Sequence, residues 1–229
     1  MSLTKSQVAT LRRKAADNSL EVEHLLKVAR IADASTVSLL AELSAKHQWS
    51  YTGWDGDTRV VPFAKWVEAV SIYLTDGCDG LVNYAQRRSD DSWAFGLSVL
   101  ESLRTPVALL AIAELADAIR DHIDERTGDA QKVVYAVNNV IAGKDAPAIS
   151  ETVRVRLRDF LHAVLSSSLA EVWIATAIVA LEKAGDSSSL YPIQNVRPLG
   201  KLWDMVPKRA IRAIKKHCGG SAGQEQGSP

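Results

Sequence analysis

The residues best suited to binding chemistry lie in one segment, positions 48–57, which reads QWSYTGWDGD. This segment falls outside any helical pattern and concentrates aromatic and acidic side chains: Trp49, Tyr51, Trp54, Asp55 and Asp57. Aromatic side chains beside charges on a loop are typical of protein-binding surfaces. We therefore predict that these residues contact a partner. The alternative is that the two tryptophans fold back onto adjacent helices as core residues.

The other chemistry-bearing residue types form no metal or catalytic pattern. Asp55 and Asp57 make an Asp-x-Asp pair, but the calcium-loop pattern that ends in Glu is missing. The histidines are scattered, and none lies in an HExxH motif. No phosphate-binding glycine loop and no GxSxG turn is present. We predict no metal, no cofactor, no catalytic residue and no enzymatic activity.

Three arginines alternate with apolar residues in the segment Thr152–Arg158, which reads TVRVRLR. A strand would place all three on one face. A helix instead continues an apolar stripe downstream: Val153, Leu157, Phe160, Leu161, Val164 and Leu165. This larger match favours the helix. Arg154 and Arg158 then share one face, where they are solvated, pair with Asp159 or a nearby Glu, or contact a partner from an inner groove.

Charge is distributed unevenly, although 27 basic and 27 acidic residues balance over the chain. Residues 51–120 contain ten acids against six bases, a net charge of −4. They include Asp90 and Asp91, which we also predict to contact a partner, because an acidic region attracts a basic protein surface. Residues 198–229 contain six bases against two acids, a net charge of +4. This basic end either complements the dipole of its own helix or meets a phosphate or an acidic partner.

The elements that must position these residues are helices, because apolar residues recur at spacings of three and four along the chain. Thr105 and Ser150 are predicted N-caps, and Ser168–Glu171 fits a capping box. Pro62 is predicted in a first helical turn, and Gly185 at a helix end. No strand is predicted. The fold class is therefore all-α, with about ten to twelve helices arranged either as a globular bundle or as stacked helix pairs.

The composition is typical of a globular protein, and the cysteine count indicates the cellular compartment. The 229 residues are 47% apolar and 24% charged, which excludes a collagen-like, a disordered or a disulfide-stapled chain. Two cysteines and no apolar leader predict a reducing cytoplasm. No apolar run is long enough for a bilayer, so we expect no membrane partner. We predict one domain over 1–217, irregular over 1–89 and more repeat-like over 90–217, followed by a disordered tail, 218–229.

The C-terminal half resembles a HEAT-type repeat, in which a helix rich in Ala and Leu ends in Gly-Asp before a second helix. The matching positions are Ala180, Leu181, Gly185, Asp186, Leu190, Pro192 and Ile193. The segment Lys208–Ile214 looks like the opening helix of another repeat, and 95–112 is a looser echo. The resemblance implies stacked helix pairs wound into a right-handed superhelix, in which each repeat buries its apolar face against its neighbours.

The function that this resemblance implies is protein binding without chemistry. The first hypothesis is a stoichiometric inhibitor, similar to bacterial immunity proteins, that blocks a partner such as a toxin domain with a basic surface. The second is a HEAT-like DNA glycosylase or nucleic-acid binder, for which only Trp203 and Asp204 are faintly similar. The neutral net charge disfavours it. The third is an adaptor or scaffold subunit of a larger complex.

Overall fold

The computed structural model describes residues 2–17, 19–45, 48–52, 58–87, 92–142 and 146–220. These residues divide into two compact units, 1–103 and 104–229, which we describe separately. Within the described residues there are eleven α-helices, which confirms the all-α class and the expected number of helices. The prediction of a single domain stays a prediction. The predicted tail begins inside the last helix, which continues to Gly220.

The first unit contains α1 (Lys5–Ala16), α2 (Val22–Ile31), α3 (Val37–Ser44), β1 (Gln48–Thr52), β2 (Thr58–Pro62), α4 (Phe63–Gln86) and α5 (Ser92–Leu103). Its centre is α4, against which α2, α3 and α5 pack. Trp66 of α4 meets Phe95 of α5 edge to face, with ring centroids 5.0 Å apart. Gly77 interrupts α4 with φ of +69°, a backbone conformation that side chains other than glycine rarely adopt.

Strands β1 and β2 correct the prediction that the chain has no strand. They pair antiparallel, from Gln48 opposite Pro62 to Thr52 opposite Thr58. Aromatic and β-branched residues are frequent in both strands, and these types favour extended backbone. With five residues each, the strands are too short to show a clear alternation of apolar and polar residues, so the sequence pattern does not reveal them. Pro62 ends β2, so α4 begins one residue later than predicted.

The second unit contains α6 (Pro106–Ile119), α7 (Thr127–Ala142), α8 (Glu151–Leu165), α9 (Glu171–Ala184), α10 (Leu190–Gln194) and α11 (Met205–Gly220). Its helices pack in two layers. In the first layer α6 packs on α8 and α8 on α10, and in the second layer α7 packs on α9 and α9 on α11. Between the layers, α6 contacts α7, α8 contacts α9 and α10 contacts α11.

Helix α6 runs in the same direction as α8, and α9 in the same direction as α11. In the first layer, Asp117 of α6 contacts Arg156 of α8 and, past the ends of both helices, Asp124 contacts Ser168. In the second layer, Glu182 of α9 contacts Arg209 of α11. The earlier Glu171 contacts Gly200, which precedes α11. In each pair of helices, later positions of one contact later positions of the other, as happens only when two neighbouring helices are parallel.

Most predicted helix ends are confirmed, with one correction. Thr105 and Ser150 cap α6 and α8 by accepting hydrogen bonds from backbone amides, and Gly185 caps the end of α9. The predicted capping box at Ser168 is wrong, because the N-cap of α9 is Ala170. The amide and hydroxyl of Ser168 instead donate to Asp124, each over 2.8 Å.

The N-terminal corner, residues 33–36, joins α2 to α3 through a 3₁₀ turn, Ala34–Thr36. Asp33 caps the turn by accepting from the Ser35 amide over 3.1 Å and from its hydroxyl over 2.5 Å. The hydroxyl hydrogen bond lowers the pKa of Asp33 to about 2. Thr36, the last residue of the turn, is buried. Asp33 also accepts from the Ser2 hydroxyl over 3.1 Å, so one distant hydrogen bond joins the local ones at this corner.

The C-terminal corner, residues 186–189, repeats this design between α9 and α10, with a 3₁₀ turn at Ser187–Ser189. Asp186 accepts from the Ser188 amide over 2.8 Å and from its hydroxyl over 2.6 Å. Ser189 is fully buried. The shared pattern is Asp-x-Ser followed by Thr or Ser, and each unit contains one such corner.

Candidate functional site

The structure places few of the predicted contact residues near one another. Trp49 and Tyr51 belong to β1, the first arm of the hairpin. The other aromatic and acidic residues predicted there or nearby lie outside the described residues: Trp54, Asp55, Asp57, Asp90 and Asp91. Their role as partner contacts therefore stays a prediction.

The structure separates the two arginines of α8 that the sequence placed together. Arg154 makes its ion pair within α8, with Glu151 at 3.6 Å. Arg158 is mostly buried and pairs with Asp186 of the C-terminal corner as well as with Asp159. Both arginines pair with acids, and their predicted contact with a partner stays a prediction. Only Arg158 crosses to another element.

Arg156 is the arginine of this segment that reaches α6, and the sequence did not identify it. Its Nε donates to Asp117 over 2.5 Å, and Nη1 lies 3.8 Å from Glu114. The two acids are three residues apart on α6, so they share a face. The spacing of Glu114 and Asp117 indicates a site for a basic side chain, but identifying Arg156 as its partner requires knowing that α6 packs against α8. Arg156 and Arg158 thus tie α8 to the elements on both sides of it.

His162 and Ser189 form a serine–histidine hydrogen bond, Nε2 to Oγ over 2.8 Å. Burial lowers the pKa of His162 and the nearby Arg158 lowers it further, while Asp159 and Asp186 act in the opposite direction. The Ser189 hydroxyl is buried and also accepts from the Asp186 amide. A buried hydroxyl in a capping role is not accessible to a substrate, so this pair stabilises the corner.

Asp186 remains ionised to lower pH than an ordinary aspartate. Burial raises its pKa, but the two hydrogen bonds from Ser188 and the nearby Arg158 and His162 outweigh that effect. The net result is a lowered pKa. The arginine that bridges the corner to α8 therefore keeps a charged partner.

Two clefts flank the end of α8 and share Ser166 and Ser167 as lining residues. The larger, about 410 Å³, lies towards α10 and is lined by residues that include His162, Tyr191, Asn195 and Arg197. The smaller, about 260 Å³, lies towards the end of α6 and is lined by charged side chains that include Arg120, Asp121, His122 and Glu125. Both clefts are open and shallow, a shape that suits contacts with a surface.

The first layer also exposes apolar side chains that the sequence did not single out. Val107 and Leu110, one turn apart on α6, are 62% and 37% exposed. Tyr191 of α10 is 74% exposed and borders the larger cleft. On the second layer, Tyr135 of α7 is 53% exposed. Exposed tyrosine beside a cleft is a common anchor in protein interfaces.

The remaining sequence candidates do not gather into a reactive site. Asp204 is exposed in the turn before α11, and Trp203 beside it is half-buried. Cys78 is buried, which raises its pKa to about 11, and Cys218 is exposed; both are free. Across the described residues, no three side chains of His, Cys, Asp or Glu lie together as metal ligands would. None of the described helices is long and apolar enough to cross a bilayer.

Comparison with known proteins identifies no relative. No protein-family model matches the chain, and neither a curated protein nor a solved structure matches it significantly.

Proposed function

We propose that the chain is a protein-binding module built from stacked helix pairs, and that it acts as a stoichiometric inhibitor of its partner. The observation that carries the proposal is the layered packing of the second unit. The parallel helices of one layer together expose a surface to which several helices contribute, and helix-pair repeats bind proteins on such surfaces.

Spacing supports assignment to the HEAT-like type of repeat. Helix α8 begins 45 residues after α6 (151 against 106), and α9 begins 44 residues after α7 (171 against 127). HEAT and armadillo repeats recur at about 40–47 residues. The next interval, from α9 to α11, is shorter, because α10 has only five residues. Shortened end units are expected where a stack terminates.

The packing also suggests how the repeats are paired. The sequence resemblance grouped α9 with the segment that follows it and placed Lys208–Ile214 in a new repeat. In the structure α8 contacts α9 and α10 contacts α11. The repeats we propose are therefore α6 with α7, α8 with α9, and α10 with α11, so Lys208–Ile214 belongs to the second helix of the last pair.

The binding surface that we propose is the exposed side of the first layer, with Tyr191 and the clefts beside it. The acids predicted to contact a basic partner, Asp55, Asp57, Asp90 and Asp91, are a separate expectation. No observation favours the glycosylase alternative. An adaptor would use the same surface, so the two remaining functions differ only in what binding does to the partner.

A matched pair of tyrosines tests the surface. Tyr191 and Tyr135 are each replaced by the photo-crosslinking residue p-benzoylphenylalanine, and the full chain is irradiated in its source cells. We expect one protein adduct from Tyr191 and none from Tyr135, because only Tyr191 lies on the first layer. Equal adducts from both positions, or none from either, would contradict the proposal.

The crosslinked protein, once purified, separates an inhibitor from an adaptor. Titration calorimetry should give one copy of the chain per partner. An inhibitor abolishes the partner's activity at that ratio, whereas an adaptor leaves it unchanged. Trp54→Ala in the same titration tests the aromatic segment: weaker binding at an unchanged melting temperature supports contact, and a large drop in melting temperature supports the core alternative.

A further inference from the structure

Helix α11 has a packed face and an outward face of opposite character. Ala210 and Ile214 are fully buried, on the side where α11 contacts α9 and α10. The residues on the opposite side of the helix are one methionine and five cations: Met205, Lys208, Arg209, Arg212, Lys215 and Lys216. We call these six residues the basic face. At 1.5 Å per residue, α11 is roughly 24 Å long.

The cations of the basic face are mostly unpaired. Arg209 contacts Glu182 at 2.7 Å. Within the described residues, none of the other four has an ion pair: Lys208, Arg212, Lys215 and Lys216. The arginines of α8, by contrast, all lie beside carboxylates. The basic face is therefore a concentration of positive charge, and among the described residues only Glu182 pairs with it.

Neither of two structural roles accounts for this charge. Complementing the helix dipole requires cations in the last turn, but Lys208 and Arg212 lie in the first half of α11. Ending a helix stack requires only a polar surface of either sign. Lys208, Arg212 and Lys216 are spaced four apart, and like charges at this spacing destabilise a helix. An anionic partner would remove that repulsion.

Exposed apolar side chains lie at one end of the basic face. Leu202, in the turn before α11, is 89% exposed, and Met205 is 57% exposed. Cations beside exposed apolar side chains are typical of proteins that adsorb to anionic lipid. Lysine is depleted in protein interfaces, which disfavours a protein partner. The basic face contains no aromatic residue for base stacking, which disfavours single-stranded nucleic acid.

We propose that the basic face binds the surface of a membrane rich in anionic lipid, with Leu202 and Met205 entering the headgroup region. The sequence expectation of no membrane partner rested on the lack of a spanning segment, and surface binding needs none. This inference does not depend on the proposed function, since the basic face is distinct from the first-layer surface.

Co-sedimentation of the full chain with vesicles tests the proposal. The probes are phosphatidylcholine vesicles with and without 30% phosphatidylglycerol, at 50 mM and 500 mM salt. We expect binding to the anionic vesicles at low salt, loss of that binding at high salt, and no binding to phosphatidylcholine alone. Failure to sediment with the anionic vesicles at low salt would overturn the proposal.

Two variants of equal charge locate the binding surface. The first neutralises the basic face as Lys208→Gln, Arg212→Gln, Lys215→Gln and Lys216→Gln. The control neutralises exposed cations elsewhere as Lys5→Gln, Arg13→Gln, Lys27→Gln and Lys183→Gln. Each cation near an anionic membrane strengthens binding roughly fivefold, so the first variant should lose at least about a hundredfold. Equal losses in both variants would show attraction by net charge alone and overturn the assignment.

A third variant and a second ligand complete the test. Leu202→Ser should weaken vesicle binding by roughly three- to tenfold and leave its salt dependence unchanged, because it removes only apolar contact. No change would overturn the insertion of Leu202.

A 30-base-pair DNA duplex is titrated under the same conditions. Tighter binding to the duplex than to the vesicles would overturn lipid as the partner. Circular dichroism confirms that each variant is folded.

Discussion

The N-terminal and C-terminal corners have the same local design but different surroundings. In each, an aspartate accepts from the amide and hydroxyl of the serine two residues later. Only Asp186 also meets α8, through Arg158, while His162 of the same helix bonds Ser189. The comparison teaches that the same local hydrogen bonds recur in both turns, although Asp33 also accepts from the distant Ser2 and Asp186 pairs with α8. The contacts of a neighbouring helix with the turn then set how much the turn contributes to the free energy of unfolding.

The largest expected difference between the corners comes from the residue before each aspartate. A Cβ at Gly185 would lie 2.5 Å from the Leu181 carbonyl oxygen and 3.0 Å from Ser189 Oγ. Gly185→Ala should therefore lower the free energy of unfolding by about 2–3 kcal/mol. Ala32 holds this position in the other corner, and Ala32→Gly should cost only about 0.4–1 kcal/mol. Urea denaturation measures both. Similar losses would mean that the two corners are equally packed.

Removal of the aspartates tests the contribution of α8 directly. Asp186→Ala removes the cap and one of the two carboxylates that pair with the mostly buried Arg158, and should cost about 2 kcal/mol. Asp33→Ala removes a cap at an exposed site and should cost less. Adding Arg158→Met to Asp186→Ala should recover part of the loss, because the mostly buried guanidinium that lost a carboxylate is then removed, and Asp159 is exposed enough to be solvated. If the double variant is no more stable than Asp186→Ala, the ion pair does not couple the corner to α8.

The first unit has its own essential glycine, and the reason differs from that at Gly185. No atom lies within 4 Å of a Cβ placed on Gly77, yet its φ of +69° is unfavourable for alanine. Gly77→Ala should cost about 1–2 kcal/mol through backbone strain alone. Gly128, in the first turn of α7, also has open space but ordinary φ. Gly128→Ala should be neutral or slightly stabilising. Calorimetric melting of both variants checks this contrast.

The smallest expected effect is a pH dependence confined to the C-terminal corner. The pKa of His162 is lowered in the fold, so the unfolded chain binds its proton more readily. The contribution of His162 to the free energy of unfolding is therefore fully present above its pKa in the unfolded chain, about 6.5. It decreases as the pH falls below that value. His162→Gln should make stability less dependent on pH between 7.5 and 5.5. An unchanged pH dependence would contradict it.

Local features of the fold could be predicted from the sequence. Thr105, Ser150 and Gly185 act through residues within one helical turn, so their roles follow from neighbours in the chain. The helical assignment of residues 152–158 was likewise confirmed, because the apolar stripe extends beyond the ambiguous segment. The all-α class follows from the same periodicity.

Features that depend on distant residues could not be predicted. Ser168 matches a capping box, but Asp124 lies 44 residues earlier and takes its hydrogen bonds. Arg156 meets α6 only because α6 and α8 are neighbours, which no local pattern reveals. The exposure of Tyr191 and Leu202 likewise depends on packing. The surfaces that carry our two proposals therefore came mainly from the structure, although the charge of α11 was visible in the sequence.

In the described part of the second unit, the side-chain hydrogen bonds between its elements join positions 27 to 44 residues apart. Ser168 bonds Asp124 across 44 residues, Arg156 bonds Asp117 across 39, and Arg209 bonds Glu182 across 27. Contacts between residues that are this close in sequence favour rapid folding. During synthesis, each newly made helix would find its neighbour already emerged from the ribosome. The second unit can therefore assemble progressively as it is translated, without waiting for its last residue.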